Sequence, residues 1–160
     1  MRLKLLATMT AAFISVGGIA LAQHHQHHGR PRQGGKAHDP RVLVKLPPKM
    51  VDHTLANMRD HLLALQEITE ALSKGDANKA AAVAEQRLGM TALTLHNAHE
   101  VARYMPEGMQ QAGTAMHRAA SRFAIEAQNA DVSGDPKPAL AVLSEVMMGC
   151  VSCHAGYRFK

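Results

Sequence analysis

The stretch Leu140-Ala-Val-Leu143-Ser-Glu-Val-Met147-Met-Gly149-Cys150-Val151-Ser152-Cys153-His154 decides how this chain is read. Leu140, Leu143, Met147, Cys150 and His154 follow steps of three and four, so a helix would carry them on one face. Cys153 flanks the same edge. Cys150 and Cys153 are the only cysteines in the 160 residues, and His154 follows the second directly. Cys-x-x-Cys-His is the attachment pattern of a c-type haem: each thiol adds across one vinyl group, and the histidine reaches the iron. A redox dithiol usually opens a helix in a βαβ pattern. A structural zinc site wants four ligands, commonly including a second cysteine pair. One covalently attached haem c is therefore expected, with His154 as the proximal iron ligand.

The start of the chain agrees with that chemistry. Arg2 and Lys4 precede an apolar run to Ala22, and Ala20-Leu21-Ala22 has the small-x-small form of a cleavage site. Residues 1–22 are read as a signal peptide cleaved before Gln23. The run is borderline in length for a membrane span, so no stable membrane insertion is expected after cleavage. The expected location is the periplasm, where covalent haem attachment occurs. A disulfide between two cysteines three apart beside a histidine is the weaker reading.

Charge excludes one class of partner. Losing Arg2 and Lys4 leaves sixteen basic residues against thirteen acidic. Two haem propionates would bring the mature chain close to neutral. With no tryptophan, two tyrosines, three phenylalanines and no basic stripe interleaved with aromatics, nucleic acid is not an expected partner.

Residues 23–47 read as a disordered, histidine-rich segment. It holds His24, His25, His27, His28 and His38 among Gly29, Gly34, Gly35 and Pro31, and has too few apolar residues to bury a core. Neutral imidazoles of this kind can capture zinc, copper or nickel weakly. A soluble tether is the blander reading.

Residues 48–160 read as four helices. Leu55, Met58, Leu62, Leu65, Ile68 and Leu72 form the first stripe, after Pro47-Pro48 and before Gly75. Asp76 suits the cap of a second helix carrying Val83, Ala84, Leu88, Leu95 and Ala98, which should run to about Met105 because Pro106 follows. The third stripe is Met109, Ala112, Met116, Ala119, Phe123, Ala127 and Ala130. Asp135 can cap the fourth helix, with Pro136 in its first turn. The expected fold is all-α: an antiparallel up-down four-helix bundle with the haem held among facing helices. The core is rich in Ala, Leu and Met, so the porphyrin would supply much of the missing apolar surface. At about 25 cal/mol per Å² that is a large stabilising term.

A four-helix chain ending in Cys150-x-x-Cys153-His154 and Tyr157-Arg158 resembles the class II c-type cytochromes, which include the cytochromes c-prime and their methionine-ligated relatives. The resemblance covers about Pro48 to Lys160, and Gly149 is compatible with it. The family divides on the second axial ligand. An apolar residue of the first helix there leaves the iron five-coordinate and open to gases. A methionine there closes the iron and suits electron transfer. By its spacing to Lys74-Gly75, Met58 falls at the family's distal position. Met58 is thus the expected distal iron ligand, with Met50 and then His61 in reserve. Arg158 matches the family's closing basic residue, and Arg158 and Arg59 are candidates to pair with the haem propionates. Pairing through the first two helices, giving a homodimer, is implied by the same resemblance.

His96, His99 and His117 are read first as hydrogen-bonded helix residues. No paired carboxylates, nucleophile-base pair or glycine-rich phosphate loop is present, so the chain is not read as an enzyme. The expectation is a periplasmic electron carrier with His154 and Met58 on the iron, serving periplasmic redox partners. The alternatives are a five-coordinate protein that binds nitric oxide or carbon monoxide, and a metal-buffering protein working through its histidine-rich tail.

Overall fold

The computed structural model describes residues 38–159, and these are mostly helical. The expected signal peptide, and the histidine-rich residues up to 37, lie outside the described residues. A short strand β1 (Val42–Leu43) comes first. The helices α1 (Pro48–Ser73), α2 (Ala77–Arg87), α3 (Ala98–Ala102), α4 (Glu107–Ser133) and α5 (Lys137–Gly156) follow, and strand β2 (Tyr157–Arg158) comes last.

The boundaries follow local chemistry. Pro48 opens α1, where a missing N–H costs nothing. Gly75 stops it at φ +74°, a left-handed conformation that favours glycine. Asp76 caps α2 by accepting the Lys79 N–H at 3.0 Å. Asp135 accepts the Lys137 N–H at 3.1 Å at the head of α5.

The expected long second helix is corrected. It ends at Arg87, and a 3-10 turn (Met90–Leu93) and the five-residue α3 fill the rest of the distance to Pro106. Thr91 is the reason. Its hydroxyl donates to the Glu85 carbonyl at 2.8 Å, and its N–H donates to the Glu85 carboxylate at 3.2 Å. These bonds compete with the helical ladder. Leu95, expected on the buried stripe, is exposed as a result.

One core joins the four longer helices. α1 packs on α2, α2 on α4, and α4 on α5. The core holds Ala64 and Ile68 of α1, Ala80, Ala84 and Leu88 at α2, Phe123 and Ala127 of α4, and Leu143 and Val146 of α5. Eleven of its seventeen buried residues are alanines, so each contributes little apolar area and the core is lean. The α4 stripe is buried as expected from Met109 to Ala130, apart from the half-buried Ala112.

Ile68 and Leu143 are buried as expected, but several other positions of their two stripes are displaced by one residue. On α1 the buried face is Thr54, His61, Ala64, Ile68 and Ala71. The apolar stripe read from the sequence lies beside it, with Leu62 70% exposed. On α5 the buried face is Ala139, Leu143 and Val146, while Leu140 and Met147 are exposed.

The reading of residues 42–44 as part of a disordered segment is also corrected. β1 pairs parallel with β2, Val42 opposite Tyr157 and Leu43 opposite Arg158. The Val44 N–H donates to the Arg158 carbonyl at 2.9 Å, and Val44 is buried. The compact unit therefore begins at His38 rather than Pro48. Backbone pairing and one buried valine order a segment whose composition alone reads as a tether.

Candidate functional site

A cavity of about 690 Å³ opens beside the core, within the size range of sites that hold small molecules and cofactors. Its walls are the uncovered stripe of α1 (Leu55, Met58, Leu62, Leu65), the segment from Leu93 to Met105, the first turns of α4, and the end of α5. Leu55, Met58 and Leu62 of the displaced stripe are thus cavity wall, while Leu65 both lines the cavity and packs on the core, and Leu72 packs on the core alone.

The end of α5 brings Cys150, Cys153 and His154 to this cavity. Both cysteines are free and half-buried. The Cys150 thiol lies 3.6 Å from the Val146 carbonyl, toward which it can donate. Burial pushes both thiols above the usual cysteine range. A redox dithiol or a thiolate metal ligand needs the opposite shift. Among the described residues no three His, Cys, Asp or Glu side chains already form a metal-holding set. The donor set fits a thioether-linked haem better than either alternative: two protonated thiols one helical turn apart, an adjacent imidazole, and an apolar cavity in front of them.

Met58 of α1 lines the same cavity and is half-buried. So do His61 and three further methionines, Met105, Met109 and Met116. Met50 is half-buried but forms no part of the wall. Arg59 is exposed and also lies off the wall. One residue on from Met58, it is turned about 100° around the helix, so it is set aside as a propionate partner.

Arg158 does line the cavity, and Arg41 joins it there. Asp39 serves both. Arg41 donates to its carboxylate at 2.7 and 3.0 Å and holds it well below the usual carboxylate range. Arg158 Nε lies 3.3 Å from Asp39 Oδ2 without hydrogen-bond alignment, so it makes an ion pair only. Arg41 also donates to the His154 carbonyl at 3.4 Å. Two guanidiniums against one carboxylate leave a net positive rim. Sequence reading missed Asp39 and Arg41. The run Val42-Leu43-Val44, β-branched at both ends, was the signal that could have placed them in an ordered strand.

His61, His96 and His117 also line the cavity and are buried. Burial holds the His61 imidazole down at about 4, helped by its two histidine neighbours. Burial also lowers His96 and His117. His99, read with them from sequence, is exposed and apart. Thr54 Oγ1 is a buried hydroxyl of the cavity wall with no partner.

Comparison with protein-family models, curated proteins and solved structures finds no match for this chain.

Proposed function

We propose that this protein is an exported, periplasmic electron carrier with one haem c, built as an up-down four-helix bundle of the class II cytochrome kind. The observation that carries the reading is the cavity, lined by Cys150, Cys153 and His154 of α5 and by Met58 of α1. Cys150 and Cys153 would tether the porphyrin, and His154 and Met58 would hold its iron. The bound haem supplies a one-electron couple.

The chain's own residues set the terms of that couple. The Met58 thioether favours the reduced metal and closes the face it occupies. Leu55, Leu62 and Leu65 keep water from the ring. Arg41 and Arg158 give the rim positive charge that suits propionates, with Asp39 orienting both guanidiniums.

The unpartnered Thr54 hydroxyl favours a second reading, in which the distal side is open and a bound gas accepts that hydrogen bond. Spectra of Met58→Ala separate the two. On the electron-carrier reading the parent is low-spin in the ferric state, has the weak far-red band of sulfur-iron bonding, and ignores carbon monoxide. The variant becomes high-spin and binds it. A parent that is already high-spin and binds carbon monoxide supports the gas-binding reading. A mature chain whose mass lacks one covalent haem overturns both.

A further inference from the structure

Three histidines that the haem reading does not use meet on the cavity wall. His61 comes from α1, His96 from the segment before α3, and His117 from α4. The Nε2 atoms of His61 and His96 are 3.2 Å apart. The ring centres of the three lie 4.6, 5.3 and 6.0 Å from one another.

Two of the three are held from behind. His53 and Asn57 of α1 bond the main-chain carbonyl of His96, at 3.1 and 3.2 Å, which pins the segment carrying that ring. Nδ1 of His117 lies 2.7 Å from the Leu88 carbonyl. Only an Nδ1–H can donate to a carbonyl, so the neutral ring keeps a free lone pair on Nε2. The His117 ring thus has the support metal-ligating histidines typically have.

We propose that His61, His96 and His117 form a metal site separate from the haem, taking a borderline divalent transition-metal ion, with zinc as the reference case. Imidazole nitrogens bind zinc at about 2.0–2.1 Å, so two of them on one tetrahedral ion stand about 3.3 Å apart. The His61–His96 pair already has that bite. Rings radiating from one such ion have centres about 5 Å apart, and the observed spacings bracket this value. The three do not already form a metal-holding set, so His117 would have to swing its ring inward to complete it. The proton now shared between the two Nε2 atoms moves to an Nδ1, and His96 Nδ1 is buried and unpartnered. The fourth position faces the cavity and takes water.

The test uses the full-length, haem-loaded chain with His24, His25, His27, His28 and His38 replaced by Asn, so that tail imidazoles do not contribute. Zinc is titrated by calorimetry and cobalt(II) by absorption. One ion per chain is expected, with the visible bands of four-coordinate cobalt. Adding His96→Ala or His117→Asn should weaken zinc at least about 100-fold, beyond what loss of a supporting hydrogen bond produces. The haem spectrum should stay fixed throughout, and helical circular dichroism should confirm that the variants fold. Absence of zinc uptake, or uptake that survives both substitutions, overturns the site. A haem spectrum that changes when His61→Gln is introduced also overturns it, by assigning that imidazole to the iron. If the chain carries no haem, the titration is repeated with Cys150→Ser and Cys153→Ser added, so that the free thiols do not take the metal and the two proposals fail separately.

Discussion

Gly149 stands directly before Cys150, where α5 crosses α4. A Cβ built there would lie 2.6 Å from Met116 Cβ and 3.1 Å from Met116 Cα. Alanine in a helix interior is normally about 1 kcal/mol better than glycine. Here the backbone of α4 blocks the added carbon, so the sign reverses. Gly149→Ala is expected to destabilise the protein by about 1–3 kcal/mol, read from the urea midpoint, and to loosen the α5 end that carries the thiols. A variant as stable as the parent would mean the helices do not meet this closely. At this scale the Cys150–His154 motif was legible because its meaning is local, with fixed residues at fixed spacing. The meeting of His61, His96 and His117 was not. They are 35 and 21 positions apart and lie on three separate segments. Their convergence depends on how the segment between α2 and α4 folds, which no periodicity encodes.

The elements were legible where caps and stripes agree. Pro48, Gly75 and Asp76 bound α1 and α2 as their chemistry dictates, and α4 buries nearly its whole alanine-rich stripe. The displacement on α1 has a cause in the cavity. A helix that walls a cavity has apolar residues on two adjacent faces, one toward its neighbours and one toward the cavity. Leu55, Met58, Leu62 and Leu65 belong to the second face, and small or polar residues such as Thr54, His61 and Ala64 make the first. A search for large apolar side chains therefore finds the cavity face and takes it for the core. β1 was missed for a different reason, because two residues of strand give no alternation to detect. Its weight can be measured. Val44→Ala removes two buried carbons and should cost roughly 1.5 kcal/mol, seen as faster amide exchange across Val42–Val44 and Tyr157–Arg158. If exchange is unaltered, Val44 does not hold the strand pair.

For the whole molecule, buried imidazoles make stability depend on acid. His61 titrates at about 4 when folded against an ordinary 6.5, and His96 and His117 are lowered as well. The unfolded chain binds protons near 6.5 while the folded chain does not. Stability is therefore full above that pH and falls as the pH drops toward 4. The His61 gap alone corresponds to about 3 kcal/mol. Urea midpoints of chelator-treated protein should decline between pH 7 and pH 4, and less so in His61→Gln. A flat profile would place these rings in water. The lean, alanine-rich core makes such a loss count.

The parallel pairing of Val42–Leu43 with Tyr157–Arg158 has a topological consequence. It brings the beginning and the finish of the folded unit together at the mouth of the cavity, so the backbone nearly closes into a ring. Because the pair is parallel, the finish of β2 lies beside the end of β1, so a linker from Phe159 must run back along the strand to His38 to complete the circle, and new termini could then be cut at Gly134, in the exposed turn between α4 and α5. A group attached to either strand would instead stand beside Cys153 and His154.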